Sequence, residues 1–161
     1  MTLVETLVAI AIMSLLMLAV TSLLVSTSKS EKRNRVLTEV EYQASAIMYE
    51  ITQSVRNASA INSPATGATS TSLSLEMSGL PSQDPTIFST SSQAIIVSRG
   101  GGGDEVLSGN NVEITNLEFK NISATDTKGA VRISLSIRGT NPGNKPELEY
   151  STNRITTVTL R

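Results

Sequence analysis

The chain opens on a nearly unbroken apolar block covering residues 1–28. Leu3, Val4, Leu7, Val8, Ile10, Ile12, Leu15, Leu16, Leu18 and Val20 are aliphatic, Leu23 to Val25 continue the run, and Glu5 is the single charge. An α-helix rises about 1.5 Å per residue, so about 25 such residues cross a hydrocarbon layer of roughly 30 Å. The block reads as a membrane-spanning helix with no face kept for water.

From residue 29 the pattern becomes one-sided. Val36, Val40, Ala44, Ile47, Ile51, Val55 and Ala58 recur at spacings of three and four, and Glu31, Arg35, Glu39, Gln43 and Glu50 fall off that stripe. No Gly or Pro precedes Pro64. The spacing therefore predicts one helix from about Thr2 to about Ala60, on the order of 90 Å long. Ser, Thr and Val are weaker helix formers by a few tenths of a kcal/mol each, so any loosening is expected at Thr21–Ser28. A plain anchor has no use for the one-sided half, whereas a helix that supports a globular head does.

Asn62 to Ser72 reads as a loop by composition. Strands are expected at Ser72–Met77, Ala94–Arg99, Val112–Ile122, Ala130–Arg138 and Leu148–Leu160. The clearest alternation puts Val131, Ile133, Leu135 and Ile137 on one face, directed at Ile47, Ile51 and Val55. Ile114, Leu117 and Phe119 offer a similar face with one irregularity that marks a bulge. Ile155, Val158 and Leu160 close the pattern. The expected fold class is α+β: a long N-terminal helix packed on a C-terminal antiparallel β-sheet head, one sheet face covering the stripe in a two-layer core. Its parts are 1–28, the apolar helix; 29–61, its amphipathic continuation; and 62–161, the β-rich head.

Composition narrows the chemistry. The chain has no Cys and no His, which removes disulfides, thiolate metal sites, the usual zinc ligand and every Ser-His-Asp arrangement. An enzyme is not expected, and neither is a cofactor or a metal. A net charge of −1, with no Trp and few aromatics, gives no basis for nucleic-acid binding. Hydrophobic residues still make up 39% and fall into strand-like runs, which argues against disorder.

Three smaller signals carry little. Gly100 to Gly103 precede Asp104 and Glu105, but strands flank them, so a hairpin turn is expected rather than a phosphate loop. Asp104, Glu105 and Asp126 lack the spacing of a calcium loop and read as solvated acids. Asn57-Ala58-Ser59 and Asn121-Ile122-Ser123 match glycosylation sequons, the first discounted more because it sits near the helix end.

The run Met1-Thr2-Leu3-Val4-Glu5, opening a transmembrane stretch with no other charge, resembles the mature start of type IV pilins and type II secretion pseudopilins. The likeness is close through about residue 28 and architectural beyond it. It implies removal of a short basic leader by a prepilin peptidase and N-methylation of Met1, a position usually held by Phe in that family. It also implies assembly through the Met1 amine and Glu5, with the core of the filament formed by the apolar helices. The implied partners are other copies of the chain, minor pilins, the prepilin peptidase and an assembly platform. The implied location is the inner (cytoplasmic) membrane as a single-pass precursor, then an extracellular surface filament serving adhesion, motility or DNA uptake. Ser14 and Ser22 stand near positions where major pilins often have Gly and Pro. That shifts weight toward minor pilins and pseudopilins, and the Thr- and Val-rich end Ile155-Thr156-Thr157-Val158-Thr159-Leu160-Arg161 is similar to J-type pseudopilins and related minor pilins.

The residues leave alternatives open. A carboxylate in hydrocarbon is costly unless paired, and the first helical turn favours negative charge, so Glu5 serves either as an intersubunit partner or as a helix-terminus stabiliser. Lys29, Lys32, Arg33 and Arg35 follow the apolar block. In an intact single-span protein they place the head in the cytoplasm; a basic leader already removed reverses that orientation. A minor pseudopilin and a single-span anchored binding protein are the rival readings.

Overall fold

The computed structural model describes residues 2–124, 128–141 and 143–161. Its fold is α+β, with one long helix, α1 (Leu3–Asn57), leading into a head of antiparallel strands. At about 1.5 Å per residue, α1 is roughly 80 Å long. It runs without a break through Thr21–Ser28.

The helix ends at Asn57 rather than near Ala60, because the next residues are claimed by a sheet. Ala58 is extended, and the Ser59 amide donates to the Glu76 carbonyl at 2.8 Å. The strand β1 (Ala60–Ser63) then pairs with β3 (Leu73–Glu76). Between them β2 (Thr69–Ser70) leaves to pair elsewhere. The expected loop at Asn62–Ser72 thus contains the end of one strand and the whole of another.

The remaining strands are β4 (Thr86–Ser91), β5 (Ala94–Arg99), β6 (Glu105–Val106), β7 (Val112–Asn121), β8 (Ala130–Gly139) and β9 (Ser151–Thr159). They form two sheets where one was expected: β1-β3-β4-β5-β6 and β2-β7-β8-β9. Periodicity shows which side chains share a face, but not which strands share a ladder. The four-stranded sheet lies on α1, mainly through β8 and β9. Leu148 belongs to a short 3-10 turn (Pro146–Leu148), so β9 begins later than the sequence suggested.

The core follows the alternation. Val131, Ile133, Leu135 and Ile137 of β8 are fully buried with Val40, Ala44, Ile47, Ile51 and Val55 of α1. Strand β8 is interior, between β7 and β9. Along β7 the buried set moves from Val112 and Ile114 to Leu117 and Phe119, with a register shift between Ile114 and Asn116. This is the expected bulge; it turns the strand so that both halves feed one core. Leu73, Leu75, Phe88, Ile95 and Val97 of the five-stranded sheet join the same cluster. Ile155 is the exception. It is 64% exposed, because its odd position faces away from Val158 and Leu160.

Close approach of α1 to the sheet requires Gly139 at the end of β8. A Cβ there would lie 2.6 Å from Val36 Cγ1 and 3.3 Å from Val40 Cγ2. Gly100 meets a different need in the β5–β6 hairpin. It has φ +58, and a Cβ would come within 2.1 Å of the Ser82 carbonyl oxygen. The Gly100–Gly103 run is therefore a hairpin connection.

Candidate functional site

Among the described residues, nothing outside α1 covers its apolar half. From Leu3 to Val25 every large hydrophobic side chain is between 51% and 78% exposed, including Leu3, Val4, Leu7, Val8, Ile10, Ile12, Leu15, Leu16, Leu18 and Val20. Among the described residues this is the one helix long and apolar enough to cross a membrane. Four of its hydroxyl groups suit that medium. Thr6, Ser14, Thr21 and Thr27 each donate to a carbonyl three or four residues earlier, at 2.8–3.0 Å. Each hydroxyl is thus satisfied within the helix and needs no water.

Glu5 is held at the helix start. The Thr2 amide donates to Glu5 Oε2 at 3.3 Å, and the Glu5 amide donates to the Thr2 carbonyl at 3.0 Å. A carboxylate at the third helical position satisfies an amide with no partner inside the helix and lies at the positive end of the helix dipole. Among the described residues nothing donates to Glu5 Oε1. Met1, the expected methylation site and second half of the assembly pair, lies outside the described residues.

A second group of residues fixes the head onto the other half of α1. Glu41 accepts from Tyr150 Oη at 2.6 Å and from the Arg154 guanidinium on β9. The Tyr150 hydrogen bond, then those of Arg154 and Thr152, hold the Glu41 carboxyl down to about 2 from an ordinary 4.5. The same bond, aided by burial, pushes the Tyr150 hydroxyl up. One turn beyond Ile47, Glu50 accepts from Arg99 at 2.7 Å, and Arg99 also binds Glu105 at 2.6 Å. Each sheet is thereby tied to α1 by one ion pair. Glu50 falls off the apolar stripe, and the spacing of the stripe does not reveal this network. Acids at the edge of an apolar stripe, facing a head rich in Arg, are the signal that points to it.

Other candidates separate. Asp126 lies outside the described residues, Glu105 is engaged by Arg99, and among the described residues no three acids converge to hold a metal. The sequon ranking reverses. Asn121 is buried, its Nδ2 donating to the Pro64 carbonyl at 2.8 Å, whereas Asn57 is exposed at the end of α1. A polar cleft of about 430 Å³ lies beside Glu113, Arg138, Asn141 and Tyr150. Arg138 and Glu113 pair with each other there at 2.6 Å, and Glu149 also lines the cleft. No protein-family model, curated protein or solved structure matches the chain.

Proposed function

We propose that this chain is a structural subunit of a type IV pilus-like surface filament, held in a membrane by α1 and assembled by bundling the apolar halves of many such helices. The observation that carries the reading is the division of one helix into two unlike halves. Residues 40–55 bury their stripe under the head, while Leu3–Val25 expose apolar side chains on every side. Apolar surface is favoured away from water by about 25 cal/mol per Å², so a half-helix of this kind has to lie in lipid or against its own kind. Bundling supplies the second environment without any chemistry by the subunit. Glu5 supports the reading as well, because its open oxygen can accept from the Met1 amine of a neighbour once both are desolvated.

The resemblance at Met1–Glu5 favours processing by a prepilin peptidase and places minor pilins and an assembly platform among the partners. A pseudopilin of a type II secretion system is the nearest variant of this reading. A single-span anchored protein is a second reading, favoured by one observation: Glu5 already caps its own helix and does not require a neighbour.

Two measurements separate them. Mass spectrometry of the native protein is expected to find N-methylated Met1 in sheared surface filaments. Recovery only from membranes, with an unmodified N-terminus, overturns the filament reading. Glu5→Val in cells lacking the native copy is expected to insert normally yet block or slow filament entry, since valine is preferred in lipid. Normal filament counts at normal membrane levels would reduce Glu5 to a cap.

A further inference from the structure

Directly beyond the apolar half of α1 lie Lys29, Lys32, Arg33 and Arg35, all exposed. Arg35 pairs with Glu31 at 3.4 Å. The other three have no ion pair among the described residues, where the remaining carboxylate pairs involve Arg99, Arg138 and Arg154. At about 100° per residue, Lys32, Lys29 and Arg33 fall within an arc of about 100°. Val36 and Val40 lie in that arc about one to three turns higher, whereas Glu31 lies nearly opposite Lys29. The three unpaired cations therefore sit on the side of the helix that carries the head, below it.

Their height matters equally. Residues 29–33 lie about 6–12 Å beyond Val25 along the axis. The headgroup layer beyond the hydrocarbon is roughly 5–8 Å deep on each side. Lys29 is within that layer, and Lys32 and Arg33 start a few Å beyond its outer edge, within reach of it through aliphatic stems that run back along the helix. Above them the head approaches at Asn110, Asn111 and Thr140, which line a groove of about 390 Å³ with Val36 and Glu39. Glu39, the acid there, accepts from Gln43 Nε2 at 3.1 Å.

We propose that Lys29, Lys32 and Arg33 bind anionic phospholipid headgroups in the space between the head and the membrane surface, anchoring the subunit by charge as well as by apolar area. Charge sign, height and continuity with the apolar segment all select a lipid headgroup over a soluble anion. A protein partner on this arc would have to fit beneath the head. The inference needs α1 to span a bilayer but does not need the filament.

The test uses the full chain reconstituted in phosphatidylcholine bilayers, with spin-labelled phosphatidylglycerol or phosphatidylcholine as tracer. The motionally restricted fraction of each tracer gives their relative association with the protein. Near an anionic surface each cation is worth about fivefold, diluted here by the lipids around the rest of the helix. A preference for phosphatidylglycerol of about threefold or more is expected, falling to parity in Lys29→Gln/Lys32→Gln/Arg33→Gln and retained in Arg33→Lys. For the unaltered chain it is expected to fall as salt rises from about 0.01 M to about 1 M, which needs no variant to fold. Equal association of both tracers with the unaltered chain overturns the proposal, as does a preference that survives the triple variant or high salt. Loss of the chain in an alkaline wash overturns the spanning premise instead, and filament counts report the assembly reading separately.

Discussion

Residues 3–25 and 40–55 belong to one uninterrupted helix and are both rich in aliphatic side chains, yet they face different surroundings. The first segment leaves every large apolar residue at least half exposed; the second buries Val40, Ala44, Ile47, Ile51 and Val55 almost completely. The difference lies in what stands between the aliphatics. In the first segment apolar neighbours fill every side, so no choice of face can hide them. In the second, Glu41, Tyr42, Gln43, Tyr49 and Glu50 occupy the remaining sides, and one sheet suffices. Helix formation alone therefore does not decide where a segment goes; the angular spread of its apolar residues does.

That contrast is most strongly tested in the core. Leu135→Ala removes a fully buried side chain facing α1 and is expected to destabilise the head by roughly 2–5 kcal/mol in denaturant titration. Gly139→Ala should cost about 1–3 kcal/mol, because the new methyl meets Val36 and the helix must shift outward. The control in the other half is Leu15→Ala. In detergent it should leave head unfolding within about 0.5 kcal/mol of the parent chain, since Leu15 touches nothing there.

Between these lies a pH effect on the head's attachment. The Glu41 carboxyl is lowered in the folded chain, so its contribution is complete above an ordinary value of 4.5 and disappears as pH falls toward about 2. The Tyr150 hydroxyl is raised, so its contribution is present below an ordinary 10.0 and is lost as pH climbs through its folded value. Melting temperature is expected to fall between roughly pH 5 and pH 2, and Glu41→Gln should flatten that slope. An unchanged slope in the variant would assign the acid transition to other carboxylates.

The elements with a strong period were legible from the residues. The α1 stripe, the alternation of β8 and the bulge in β7 each follow from spacing. Strand β4 was not legible. Its sequence Thr-Ile-Phe-Ser-Thr-Ser shows no alternation of hydrophobicity, because the inward positions are the polar Thr86 and the apolar Phe88, both fully buried, while Ile87 between them is exposed. Strands β2 and β6 have two residues each and exist because a neighbouring strand offers an open edge. The apolar half of the candidate site could be read directly, since composition alone defines it. The Glu41–Tyr150–Arg154 and Glu50–Arg99 ties could not, because they depend on partners brought near by two sheets that periodicity does not separate.

The Glu41–Arg154 tie spans 113 residues. A ribosome therefore releases the stripe of α1 long before β9, which helps to cover it. Until then Val40–Val55 have no lasting cover, and contacts this distant in sequence close slowly. That delay leaves the amphipathic half of α1 without the sheet that buries it, so the head completes its core only after its last strand has been made.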